Sequence, residues 1–182
     1  MKTYDQISFS KKSELEVIMH VNQFLHTLLS PVMHLKRLST LTVLVLSTLK
    51  HKKLSVTQLG RGMETAASEK NNIKRSDRFL SNKKLGKERQ EIYATSTYQL
   101  IGGHSRPRII VHWSPAPNAL NYILRAALIL EGRALSLYEE VHPKAKENNS
   151  KVHELFLSQL KKILPLYCRP IIVTDAGFCV PF

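Results

Sequence analysis

The run Pro170-Ile171-Ile172-Val173-Thr174-Asp175 constrains this chain more than any other stretch. Unbroken apolar, β-branched side chains suit a strand buried in a parallel sheet, since a half-exposed strand would alternate polar and apolar residues. Such a strand requires a crossover connection upstream and helices to cover the sheet. The run stops on a carboxylate and then Ala176-Gly177. Asp175 is therefore predicted at the C-terminal lip of the strand, where ligands collect in open α/β sheets.

The residues before it predict the rest of that sheet. Arg108 to Trp113 sets Ile109, Val111 and Trp113 against Ile110 and His112, the period of a strand. A second strand is predicted over Tyr122 to Leu130 and a third over Arg133 to Glu140, joined by a tight turn at Glu131-Gly132. Ser150 is placed to cap a helix with Val152, Leu155, Phe156, Leu160 and Ile163 on its apolar stripe, ended by Pro165. The order is then β-β-β-α-β, and a crossover of this kind lays the fourth strand beside the first. His112, ending strand one, becomes the predicted neighbour of Asp175. Glu131, Glu139 and Glu140 are expected to cap turns or face solvent.

Upstream the periodicity is helical. Helices are predicted from Glu14 to Ser30-Pro31, from Met33 to Leu49, from Ala66 to Leu80 and from Lys87 to Ile101, with residues 1–13 polar and loose. Gly102-Gly103 marks the boundary, giving a helical region over 1–103 and a sheet domain over 107–182, an α+β chain overall. The most apolar segment, Leu38 to Leu49, falls short of the about 20 residues a membrane span needs. Cys168 and Cys179 belong to no CxxC pair and suit a reducing compartment. His104, His112, His142, His153 and Cys168 match no zinc spacing.

Charge adds a partner class. Lys and Arg number 27 against 14 acids, a formal net charge of +13, which points to a polyanion such as nucleic acid. Residues 55–80 outline a helix-turn-helix: Ser55 as N-cap, Gly60 and Gly62 as breakers, then a basic helix. On that helix Ala66, Ile73 and Leu80 recur every seven residues, and Lys70, Lys74 and Arg78 recur every four beside them, with Arg75 nearby. These four cations are the candidate DNA contacts, the alternative being a solvated face. Lys83, Lys84, Lys87 and Arg89 extend the positive field.

Three ordered blocks carry a resemblance. Ile110-Val111-His112-Trp113-Ser114, the stretch Glu131-Gly132-Arg133-Ala134-Leu135-Ser136-Leu137-Tyr138-Glu139-Glu140-Val141-His142-Pro143, and Val173-Thr174-Asp175-Ala176-Gly177-Phe178 resemble transposases of the insertion-sequence-four family. Leu59-Gly60-Arg61 and Asn72 to Asn82 resemble it too. The resemblance implies a DDE-type, ribonuclease H-like catalytic domain behind a helical DNA-binding region. It also implies insertion-sequence ends as the DNA partner, homo-oligomers or pairing with an intact transposase, no membrane association, and a bacterial cytoplasmic, nucleoid-associated location.

The chemistry so implied is strand cleavage and transfer by three carboxylates holding two Mg²⁺ or Mn²⁺ ions. One ion activates a water or a 3′-hydroxyl and the other stabilises the leaving oxygen. Asp175 matches the second acid and would be a metal ligand. His112 falls where the pattern has its first Asp. The third acid, a Glu on a later helix, has no counterpart because no residue after Asp175 is acidic. The resulting expectation is a truncated, catalytically inactive copy that holds no ion stably and has an exposed edge at its last strand. Its alternative is a non-catalytic DNA-binding or interaction module that binds element ends or inhibits an intact transposase.

Overall fold

The computed structural model describes residues 11–117, 120–175 and 178. Residues 1–10, most of the stretch expected to be loose, lie outside them, as do Ala176, Gly177 and Cys179. The elements run α1 (Lys11–Leu29), α2 (Leu35–His51), α3 (Val56–Arg61), α4 (Glu69–Leu80), α5 (Lys83–Ile101), β1 (Arg108–Pro115), β2 (Asn121–Leu130), β3 (Arg133–Pro143), α6 (Ser150–Ile163) and β4 (Ile171–Thr174). No helix among the described residues is long and apolar enough to cross a membrane. The chain forms two compact units, Met1–Glu88 and Arg89–Phe182. The division falls inside α5 rather than at Gly102-Gly103. The reason is that Tyr93, Ala94 and Ile101, in the C-terminal part of α5, pack into the core of the sheet unit.

In the first unit Leu44, Leu59, Met63 and Phe79 join α2, α3, the turn after α3, and α4 in one core. The glycines there act as contact surfaces. Gly60 lies within α3, and a Cβ on it would stand 2.6 Å from the Ile73 amide nitrogen and 2.7 Å from its Cγ1. Gly62 caps α3 with an ordinary right-handed φ of −79°, and its Cβ would stand 2.5 Å from the His51 ring. Gly62 stands where α3 ends, as a breaker should, whereas Gly60 lies inside the helix; neither has a positive φ, and both permit helices to touch. Ser55 caps α3 as expected, accepting from the Gln58 amide at 3.3 Å.

α4 turns inward a face other than the one its seven-residue stripe predicts. Its buried face is Asn72, Ser76 and Phe79, while Leu80, expected on the apolar stripe, is 52% exposed. Ala66 is exposed and precedes the helix. Asn72 compensates for its burial through hydrogen bonds: its amide donates to the carbonyls of Met63 and Ala67, and its oxygen accepts from the Thr65 hydroxyl at 2.8 Å.

In the second unit the sheet order is β3-β2-β1-β4. β1 is antiparallel to β2 and parallel to β4, and β2 is antiparallel to β3, with a bulge at Ala126/Ala127. This is the mixed sheet that β-β-β-α-β predicts, but β4, expected to be buried, is exposed along its length because it stands at the end of the strand order. Gly132, at φ +69°, makes the β2–β3 turn. Asn149 rather than Ser150 caps α6, its side chain accepting from the Val152 amide at 3.2 Å.

Alternation divides the sheet into unlike faces. Ile109, Val111, Leu124, Ala126 and Leu128 form a core with Phe156, Leu160 and Ile163 of α6 and Ile101 of α5. Ile110, His112, Arg125 and Val141 point the other way and keep contact with solvent. Leu155, expected on the inner stripe of α6, is 64% exposed, and His153 takes the inward place.

Candidate functional site

Two places carry the residues that the sequence singles out, one in each unit. On α4, Lys70, Lys74 and Arg78 are exposed. Spaced four apart on a 3.6-residue helix, they spread over little more than a fifth of its circumference, so they share one face. Among the acids nearby, Glu88 pairs with Arg37, Glu64 with Lys50 and Glu69 with Arg61 at 2.9 Å, while Asp77, exposed on α4 itself, pairs with none of the three cations. None of the three stripe cations forms an ion pair among the described residues. Three adjacent ammonium and guanidinium groups with no acid partner make a local positive field suited to phosphate.

Arg75 does something else. It is half-buried, and its Nε and Nη2 both donate to the Thr40 hydroxyl, at 3.2 and 3.0 Å. A guanidinium held this way ties α4 to α2.

In the second unit the parallel register runs Arg108↔Ile171 to Val111↔Thr174. His112 follows Val111 in β1, and Asp175 follows Thr174, the last residue of β4. The His112 Nδ1 lies 3.3 Å from the Trp113 carbonyl oxygen, and Asp175 is exposed. The donor set is thus one imidazole and one carboxylate. An imidazole offers one nitrogen lone pair, carries no negative charge and cannot bridge two ions, whereas Mg²⁺ prefers oxygen ligands. These residues do not fit a pair of magnesium ions. No group of three or more His, Cys, Asp or Glu among the described residues is arranged to hold a metal.

Around this lip lies a polar network that the sequence reading missed. Trp113 Nε1 donates to His153 Nε2 at 2.9 Å, and His153 stacks on Phe178 with ring centroids 3.8 Å apart. Burial pushes the His153 imidazole below its ordinary value, with the charge of Asp175 opposing. Because Nε2 accepts from the indole, the ring is neutral with its proton on Nδ1. The spacing 153, 156, 160, 163 is the helical signal that would have placed His153 on the buried face.

The glutamates are also more engaged than expected. Glu140 accepts from the Tyr138 hydroxyl at 2.5 Å, and its other oxygen lies 2.9 Å from His142 Nε2. Burial, and then the bond to Glu140, push the Tyr138 phenol up to about 12. On the opposite face Glu139 accepts from Arg125 Nε at 2.6 Å and from the Ser136 hydroxyl at 2.8 Å. Both acids order the β2–β3 hairpin instead of facing solvent.

The chain matches no protein-family model, no curated protein and no solved structure.

Proposed function

We propose that this chain is a DNA-binding protein of the insertion-sequence-four transposase lineage, which grips DNA through α4 and does not itself cleave it. The observation that carries the binding is the unpaired stripe of Lys70, Lys74 and Arg78 on a helix seated against α3 by the close approach at Gly60. A short helix packed on a longer basic one is the outline of a helix-turn-helix, whose second helix enters a groove or grips phosphates. The mixed sheet with β4 beside β1 supports a ribonuclease H-like reading of the second unit. His112 and Asp175, each one residue past the Val111–Thr174 pair, support a lineage whose metal chemistry has been lost, since they are wrong for Mg²⁺. Binding of element ends, alone or alongside an intact transposase, is the activity that remains.

The test is binding to duplexes carrying the ends of the encoding element, and to unrelated duplexes, across a series of salt concentrations. Three phosphate contacts give a log–log slope of about −3. The triple variant Lys70→Glu, Lys74→Glu, Arg78→Glu should lose most of the affinity and most of the slope. Affinity that is insensitive to salt, or unchanged in that variant, refutes the assignment. Nicking of the duplex in Mg²⁺ or Mn²⁺ by the purified chain refutes the loss of cleavage.

A further inference from the structure

A second recognition surface lies where the chain enters β1 and β4, at the other end of these parallel strands from His112 and Asp175. The two approaches are stitched together by backbone bonds, from the Arg169 amide to the Ser105 carbonyl at 2.7 Å and from the Ile171 amide to the Pro107 carbonyl at 2.9 Å. Tyr98, on the last turn of α5, and Tyr167, in the loop after α6, there line one cleft with Gln99, Gly102 and Gly103. Its volume is about 460 Å³, the size of a small-ligand site.

Both aromatic rings stay open to solvent, Tyr98 being 61% exposed and Tyr167 45%. Tyr167 is nonetheless fixed, because its hydroxyl donates to the Gly102 carbonyl. The Gly102 amide in turn donates to the Tyr98 carbonyl at 3.0 Å. Gly102 needs its positive φ of +56°, whereas Gly103 has none, and a Cβ on Gly103 would meet nothing within 4 Å. The space over Gly103 is therefore open, and filling it strains no backbone.

The charge around this cleft has one sign. Its lining holds no acid. The segments that supply it, residues 92–130 and 155–174, contain no Asp or Glu, yet they carry Arg106, Arg108, Lys161 and Arg169, all exposed. Arg169 is held in place, its Nη1 donating to the carbonyls of Leu166 and Cys168 at 2.9 and 3.1 Å, against the backbone on both sides of Tyr167.

We infer that this cleft takes an unpaired base of a single-stranded nucleic acid. An exposed tyrosine ring offers a stacking face that tolerates any base, and the Gln99 amide both donates and accepts at a base edge. Arg169 meets the phosphate beside that base. Open aromatic faces, cations and no acid match the two halves of a nucleotide. A second copy of a chain of net charge +13 would instead bring like charge to the same place. None of these residues belongs to α4, so this site stands or falls apart from the duplex contacts proposed there.

The test uses the full chain and fluorescein-labelled strands of about ten nucleotides, within the span of ordinary single-strand sites. The strands are oligothymidylate, oligouridylate and an abasic strand carrying the same phosphates. By fluorescence anisotropy, oligothymidylate or oligouridylate should bind about fivefold or more tighter than the abasic strand, and the tighter of the two names the source as DNA or RNA. Tyr98→Ala and Tyr167→Ala should each remove about fivefold or more of that affinity, while Tyr98→Phe keeps it. Gly103→Leu, which places a side chain in the open space, should abolish the preference while circular dichroism stays unchanged. An iododeoxyuridine in the strand should crosslink on irradiation to Tyr98 or Tyr167. The same preferences should persist in the chain carrying Lys70→Glu, Lys74→Glu and Arg78→Glu, which separates this site from α4. An abasic strand bound as tightly as the others overturns the proposal, as does a preference that survives Gly103→Leu.

Discussion

Replacing Gly60 by alanine tests how the first unit is held together, because two effects of known size oppose each other there. Alanine is favoured over glycine inside a helix by about 1 kcal/mol, so a free-standing α3 would gain stability. In the structure the new Cβ would stand 2.6 Å from the Ile73 amide nitrogen, which is backbone and cannot swing aside. Overpacking of this kind costs about 1–3 kcal/mol, and rigid neighbours put it at the upper end. The net expectation is a loss of about 2 kcal/mol, or roughly 8–16 °C in the melting temperature of a unit this size. Gly86, in α5, is the control, since a Cβ there meets nothing within 4 Å. Gly86→Ala should gain up to about 1 kcal/mol from the same propensity term. Thermal and urea denaturation followed by far-ultraviolet circular dichroism reads both signs. A Gly60→Ala protein as stable as the unchanged chain refutes the α3–α4 packing, and with it the seating of the basic helix.

The remaining predictions concern single side chains. Lys74→Ala should reduce the salt slope of DNA binding by about 1, whereas Arg75→Ala should leave the slope unchanged and cost roughly 1 kcal/mol through its lost bonds to Thr40; titrations at several salt concentrations, with a melt of each variant, separate the two. Phe156 is fully buried, and Phe156→Ala should cost about 3–5 kcal/mol, read as a shift in the urea midpoint of the second unit. His153 is held below its ordinary value, so the unfolded chain takes up its proton first as pH falls. Stability from this residue is therefore complete above about pH 6.5 and declines below it, by at most about 1.4 kcal/mol per pH unit, until the folded ring also protonates. Trp113 is the chain's one tryptophan and reports this directly in fluorescence-monitored urea melts. His153→Gln keeps an acceptor for the indole and should flatten the dependence; an unchanged slope assigns it to another group.

The order of elements and the parallel pairing of β1 with β4 follow from local pattern alone. A period of two in Arg108 to Trp113, a period near 3.6 in the helices, the Glu131-Gly132 turn and the unbroken apolar run at Ile171 each express themselves within a few residues. The pairing of Val111 with Thr174, which sets His112 and Asp175 one residue beyond it, follows from the same information, because a crossover returning to the first strand leaves little choice of register. The roles of individual polar residues do not follow. Arg75 meets Thr40 across 35 residues, Trp113 meets His153 across 40, and Arg89 meets Tyr138 across 49. No local window contains both members of such a pair.

The glycines make the same point from the other side. A sequence marks Gly60 and Gly62 as flexible, and only the packed neighbours reveal that their missing side chains make room for Ile73 and His51. Periodicity dictates which elements form and in what order, because it arises from backbone geometry. Which lysines stay unpaired, which arginine is tied down and which histidine stays neutral were decided by tertiary structure. Burial and pairing depend on what the rest of the fold brings within a few ångströms.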